Sequence, residues 1–342
     1  MSNLNRFSRR SFLVMPLALA ACYDSKQVIE FVGKTMGTTY KVSLVDHTNQ
    51  LKESQVKPLV SAALLDVNKS MSNWDAGSEI SRINAVPKDS HQSMSATLAH
   101  VMQAARDVNL ASAGRFDTTV GPLIELWGFG APGATAKPTD AAIETALAKS
   151  GQQTSLALRG NSVARKHGDT QVYLAGIGKG FGADHVGQAL ESIGIKDYMV
   201  EIGGDLYAAG RNPDGLPWQI GIETPNAHDR NIMGVVGVSG LGLASSGDYR
   251  NYFEQDGQRY SHLIDPTTGR PVDHKTASAT VLAGNAMLAD AWSTAMLILG
   301  RERGLEIASA HNIAVQFIDR DTNAGALGFT THASDAFKTL TA

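Results

Sequence analysis

The sequence predicts an α+β fold, built as one unit with two lobes of mixed sheet and helices. Segments of helical periodicity stand apart from a run of short strands between Ser155 and Phe253, whereas a parallel fold would alternate the two. No repeat, low-complexity segment or Ser/Pro-rich linker divides the 342 residues. A hydrophobic content of 43% with 18% charged residues provides a sizeable core. The 34 glycines exceed the usual roughly 7%, which implies many tight turns or close backbone approaches. With 30 basic and 33 acidic residues there is no global field to attract nucleic acid.

Residues 23–54 read as a tether followed by a strand, because YKVSLV alternates in hydrophobicity. Gln55 to Ser70 and Ser95 to Leu110 carry helical spacing, with Ser95 placed as an N-cap. MSNWDAGSEISRINAVP between them reads as a turn and a short helix. Ala131 to Thr139, with two prolines and a glycine, is a loop, and Asp140 to Lys149 a short helix. A further helix begins near Lys179 and interrupts the strand run. YRNYFEQ and QRYSHLI flank Asp256-Gly257, the dipeptide that a tight hairpin prefers. Asn285 to Leu299 is an apolar helix capped by Asn285, and Ile313 to Ile318 has strand character.

The first 22 residues stand outside the expected fold. MSNLNRFSRR is basic, SFLVMPLALAA is too short to span a membrane stably, and the sole cysteine, Cys22, ends it. Leu19-Ala20-Ala21-Cys22 resembles a lipobox, and Ser8-Arg9-Arg10-Ser11-Phe12-Leu13 a twin-arginine signal, with a Sec leader as the alternative. The expectation is a periplasmic protein anchored by acyl chains on Cys22, at the inner rather than the outer membrane. With no other cysteine, residues 23–342 hold no disulfide.

Chemistry concentrates in a few stretches. LAGIGKGFGADHV opens a helix on bare backbone, and a helix N-terminus suits phosphate. It is not a Walker loop, since Gly180 follows Lys179 where Ser or Thr is needed, and it meets the dinucleotide fingerprint only through a weaker Ala ending. A plain glycine-rich turn is the other reading. In NAMLADAWSTAMLILG, Asp290, Ser293 and Thr294 fall at i, i+3 and i+4 and share one face. Hard oxygens a turn apart suit Mg²⁺; a capping Asp with a back-bonded Thr is the alternative. His262 ends a hairpin strand beside Asp265-Pro266, as a general base or a structural histidine. Arg250 can pair with a phosphate or an acidic neighbour.

The ordered series TMGTTY, SEISRIN, GRFDTTVGPL, AGIGKGFGADHV, GGDLYAAG, SSGDYRNYFEQDGQRYSHLIDPTTGRP and ADAWSTA resembles the ApbE family of FAD:protein FMN transferases, from about Phe31 onward. The resemblance implies that FAD is the substrate and Mg²⁺ the metal. It places the metal on the carbonyl of Gly176 and the side chains of Asp290 and Thr294. Ser293 stands where some members carry an acidic ligand. FAD contacts fall on Met36, Trp74, Arg115, Phe116, Asp117, Lys179 and Ile264, and His262 matches the histidine that accepts the hydroxyl proton. The family usually carries Asp three residues before the position of Gly176, where this chain has Tyr173; its phenol, or neighbouring Asp169, is a substitute. The implied reaction attaches FMN to a Thr or Ser hydroxyl of membrane redox subunits with an S/T-G-A-S/T-like motif and releases AMP. The rivals are a metal-dependent FAD hydrolase and a flavin-binding lipoprotein without turnover.

Overall fold

The computed structural model describes residues 27–130, 137–226, 231–321, 323–324 and 328–342. The expected leader with Cys22 and most of the expected loop at Ala131–Thr139 lie outside the described residues.

The described residues open with a hairpin, β1 (Gln27–Thr35) and β2 (Thr38–Asp46). Part of the expected tether is therefore a strand. Ile29 and Phe31 of β1 point inward while its remaining side chains are exposed or half-buried, an edge pattern that the tether reading overlooked. Met36 and Gly37 make the turn with φ of 48° and 74°, the left-handed pair that a two-residue hairpin demands. Then come α1 (Glu53–Met71) and α2 (Glu79–Ala85), β3 (Gln92–Ser93), and α3 (Ala96–Ala111), which Ser95 caps as expected by accepting from the Leu98 amide. The short helices α4 (Gly121–Leu126), α5 (Asp140–Leu147) and α6 (Gln152–Ser155) lead into β4 (Leu156–Arg159) and β5 (Ser162–Arg165).

Helix α7 (Gly178–Ser192) starts within one residue of the expected place. It is followed by β6 (Tyr198–Ile202), β7 (Asp205–Ala209), β8 (Trp218–Glu223), β9 (Ile232–Val238) and β10 (Leu241–Gly247). The expected hairpin is β11 (Tyr252–Gln255) and β12 (Gln258–Ser261), with Asp256 and Gly257 both at positive φ. Next are β13 (Ile264–Asp265), β14 (Arg270–Pro271) and β15 (Thr276–Ala283). Helix α8 (Ala286–His311) outruns the expected end, continuing past a break at Gly300 where φ is 70°. The chain closes with β16 (Ala314–Arg320), β17 (Phe329–Ala333) and α9 (Asp335–Leu340).

The main sheet has eight strands in the order β1-β2-β6-β7-β10-β15-β16-β17, every pair antiparallel. Alternate residues feed opposite faces. Val42, Leu44, Val200 and Ile202 pack under α1 and α7, while Leu206, Ala208 and Leu243 meet the inner face of the β8–β9 ribbon. A smaller lobe sets α2 and α3 around the sheet β3-β5-β4, and its core reaches Met287, Ala291 and Ala295 of α8. The first half of α8 is thus apolar on nearly every side because it is a shared wall, with the main sheet against one flank and the smaller lobe against another.

Candidate active site

Two glycines of α7 replace side chains that would collide, one with α8 and one with the β1–β2 turn. A Cβ on Gly180 would stand 2.1 Å from the carbonyl oxygen of Ala286, and one on Gly182 2.8 Å from Cε of Met36. The bare backbone at the start of α7 therefore serves close packing, on α8 at Gly180 and under Met36 at Gly182. Its amides are not all free for an anion either: Gly180 N–H donates to Oδ2 of Asp290 at 3.1 Å. Asp184 does the same service in reverse, accepting from the Ala286 and Met287 amides at 2.8 Å each and so capping α8.

Asp290 is 2% exposed, and what compensates its charge is Lys179. The ammonium lies 3.4 Å from Oδ1 of Asp290 and 2.7 Å from Oδ2 of Asp205, a second buried carboxylate at the start of β7. Burial works against the charged lysine, yet the two carboxylates outweigh it and hold the ammonium above its ordinary range. Burial, then the nearby charge of Asp290, raises the Asp205 carboxyl. One turn on from Asp290, Thr294 Oγ1 sits 3.1 Å from where a Gly176 Cβ would be, so the absence of a side chain brings the Gly176 backbone against the threonine. Ser293 is turned aside: its hydroxyl donates to the Asp290 carbonyl at 2.9 Å and meets Ser246 Oγ at 2.9 Å.

Beside this cluster lies a cavity of about 560 Å³, within the range of small-molecule sites. Gly176, Lys179, Asp290 and Thr294 line one part of it, and His262 and Ile264 another. His262 Nδ1 is 3.1 Å from the carbonyl oxygen of Asn251. A carbonyl only accepts, so Nδ1 carries the proton and Nε2 keeps its lone pair. Burial lowers the imidazole pKa below its ordinary value, which keeps the ring neutral near pH 7.

Arg115, Phe116, Asp117 and Tyr173 also line the cavity. Arg115 Nε is 3.4 Å from Asp265 Oδ2. Asp117 spends its oxygens on the loop, accepting from the Thr119 amide and hydroxyl and from the Gln152 amide at 2.6–2.7 Å. Burial raises its pKa in spite of these bonds. Tyr173 donates its phenol to Glu125 at 2.7 Å; burial, then that carboxylate, pushes its pKa up to about 12. Asp169 does not move in as a substitute: it pairs with Lys149 at 2.9 Å, its side chain 72% exposed. Two expected contacts stand off the cavity wall. Met36 packs between the two cores against Gly182, and Trp74 stands 77% exposed on the α1–α2 turn.

Sequence reasoning missed Asp205, Ser246 and the carbonyl of Asn251, which sets the tautomer of His262. Arg250 was foreseen as pairing with a phosphate or an acid, and it pairs with Glu223 at the cavity rim. The one usable signal for Asp205 was an acidic residue opening a buried strand directly after Gly203-Gly204.

Comparison with known proteins matches this architecture. A model of the ApbE family fits residues 36–317. The chain is 42% identical over 336 residues to the FAD:protein FMN transferase of Haemophilus influenzae, covering 96% of each. It is 39% identical over 324 residues to that of Vibrio cholerae, covering 94% of this chain and 95% of the relative. Among solved structures, the flavin transferase ApbE from Vibrio cholerae superimposes with a TM-score of 0.83 at 37% identity, over 92% of this chain and 99% of that one. The apo flavinyl transferase ApbE of Pseudomonas stutzeri gives 0.83 and 37%, over 92% and 97%.

Proposed function

The chain belongs to the ApbE family, and from that premise we propose that it transfers FMN from FAD to a Ser or Thr hydroxyl of an acceptor protein. The observation that carries this reading is one cavity with two chemistries. It offers an imidazole whose Nδ1 faces a backbone carbonyl, leaving Nε2 to accept, and in the same cavity the residues Asp290, Thr294 and Gly176.

His262 Nε2 takes the proton of the acceptor hydroxyl as its oxygen bonds to the FMN phosphorus. The phosphoanhydride bond to AMP breaks, AMP leaves, and the flavin remains on the acceptor as a phosphoester. The donor set fits Mg²⁺: a carboxylate, a hydroxyl and a carbonyl are hard oxygens, and Gly180 N–H and Lys179 hold the carboxylate in place. Asp290, Thr294 and Gly176 would hold the ion, which when bound neutralises charge on the pyrophosphate. Phe116 and Ile264 supply apolar wall for flat rings, and Arg115 a cation beside them.

The proposal extends to location. Residues 1–22 are read as an export leader, and Cys22 as the lipidated residue that holds the protein at the periplasmic face of the inner membrane, near membrane redox subunits that serve as acceptors. Cys22→Ser should release active protein into the soluble periplasm; retention in washed membranes would overturn the anchor.

Incubation with FAD, Mg²⁺ and a recombinant acceptor domain carrying an S/T-G-A-S/T sequence tests the reaction. Flavin fluorescence that stays with the acceptor on a denaturing gel is expected, with one AMP per flavin. Free FMN and AMP without labelled acceptor would make the protein a hydrolase, and bound FAD without turnover a flavin carrier.

A further inference from the structure

The β8–β9 ribbon stands over one face of the main sheet, and its inner residues Trp218, Ile222, Val236 and Val238 bury against Leu206, Ala208 and Leu243. It remains a separate two-stranded sheet, so β8 has β9 on one side and no strand on the other among the described residues. Side chains alternate along a strand, so a cavity wall made by one face would use every second residue. Here four in succession, Ile220, Gly221, Ile222 and Glu223, border the cavity that holds His262 and Asp290. What borders it is the edge of the strand, where alternate backbone N–H and C=O groups point away from β9.

Apart from a register irregularity between Ile222 and Glu223, this edge lacks the usual protection. Between Trp218 and Ile222 there is no proline and no charge, the devices that keep free edges from pairing. Its sole charged residue, Glu223, is tied to Arg250, and the next residue, Asn251, fixes His262. Over the same ribbon stand three exposed apolar side chains: Leu216 at 54%, Ile232 at 63% and Val235 at 59%. Val235 lies directly across from Gly221, and a Cβ on Gly221 would fall 3.1 Å from Ile232 Cδ1, so the Ile232 side chain leans from β9 over the bare Gly221 on the outer face of the ribbon.

We propose that the free edge of β8 is the docking rail for the acceptor polypeptide, which pairs with it as an added strand and carries its hydroxyl past the rim towards His262. This rests on the flavin-transfer reading. A hydroxyl on a flat protein surface does not reach into a concave site, whereas an extended segment does, and its backbone then finds partners on β8. Its apolar side chains rest on Ile232, Val235 and Leu216. Continuity of the edge with the catalytic cavity selects this occupant over an unrelated partner.

Hydrogen exchange of the FAD-loaded, full-length protein tests the proposal. The probe is a recombinant acceptor domain with an S/T-G-A-S/T sequence whose acceptor residue has been replaced by Ala, so that the complex persists. Exchange across residues 219–223 should slow on adding the probe and stay unchanged with FAD alone. In a second arm, the double variant Ile232→Lys, Val235→Lys should raise KM for the reactive domain roughly tenfold, with FAD affinity and saturating kcat kept. Protection elsewhere with β8 unaffected would overturn the rail, as would protection by FAD alone or by raising the protein concentration without probe, which point to the substrate or a second copy as occupant. Failure of the wild-type protein to label the reactive domain while FAD is cleaved would sink the transferase reading and the rail with it.

Discussion

The helical wall of the cavity, built by α7 and α8, is dense and tied together by buried ion pairs, whereas the strand wall of β8 and the β11–β12 hairpin is open and tied by the Arg250–Glu223 pair at its rim. In the helical wall Asp290 is surrounded by a lysine ammonium, a backbone amide and a second carboxylate. In the strand wall the half-buried His262 ring has, among the described residues, a hydrogen bond to one backbone carbonyl and an edge-on contact with Phe129. The difference teaches how the work divides. The wall that must hold concentrated negative charge is assembled before substrate arrives, so little reorganisation is left for the reaction. The wall that receives the acceptor stays accessible, because a second protein has to complete it.

If that division holds, the largest loss follows from breaking the helical wall. Asp290→Ala should lower Mg²⁺-dependent transfer by more than the roughly 10²–10³-fold typical of deleting one electrostatic stabiliser. It also strands the buried Gly180 amide, a cost of about 1–3 kcal/mol in stability. Removing its charge lets the raised Asp205 carboxyl fall toward its ordinary value. Calorimetric Mg²⁺ titration together with a thermal melt checks both effects; full Mg²⁺ affinity in the variant would remove Asp290 from the metal site.

Damage to the strand wall should be confined to chemistry, with no loss of stability or metal binding. His262→Ala should cut transfer about 10²–10⁴-fold while FAD and Mg²⁺ still bind. The base must be neutral, and burial lowers its pKa below 6.5, so activity is full at neutral pH and falls as acid protonates Nε2. The fall belongs below pH 6.5, on the acid side only. A rate profile that declines already between pH 7 and 8 as pH drops would show that a different group titrates.

Legibility in the sequence followed the same division. Asp290 and Thr294 were readable because helical spacing puts i and i+4 on one face, and the Asp256-Gly257 turn because few dipeptides accept two positive φ values in succession. The family resemblance added the pairing of His262 with that helix. Contacts across the fold were not readable. The Lys179–Asp205 ion pair joins a helix to a strand 26 residues on, and Asn251 reaches His262 through a backbone carbonyl that no residue type encodes. The glycines opening α7 looked like an anion cradle, because sequence cannot distinguish glycine left bare for a ligand from glycine left bare for a neighbouring helix. Strand β1 was missed because an edge strand buries only part of its length.

A third change sharpens the comparison by adding charge to the helical wall. Ser293→Asp places a carboxylate beside Asp290 at a position 1% exposed, where the native hydroxyl is spent on Ser246 and the Asp290 carbonyl. Without metal the melting temperature should drop, since the added charge has no cation of its own. With Mg²⁺ it should recover, and Mg²⁺ should bind roughly tenfold tighter through the extra charge. Equal melting curves with and without Mg²⁺ would place the ion away from this face.

The smallest effect belongs to Tyr173, at the seam between the walls. Its phenol donates to Glu125, and its ring fills the space over Gly121, where a Cβ would come within 2.6 Å of it. Because burial and Glu125 push its pKa up to about 12, the phenol keeps its proton at every working pH and its donor stays committed. Tyr173→Phe keeps the ring and removes that one hydrogen bond, so stability should fall by only about 0.5–1.5 kcal/mol. If the hydroxyl serves Glu125 rather than substrate, FAD affinity should stay within about twofold. A drop of tenfold or more, equivalent to about 1.4 kcal/mol, would mean that the phenol turns from Glu125 to FAD on binding. The seam would then belong to the substrate site, and the helical wall would be less complete before substrate arrives than its charge pairing suggests.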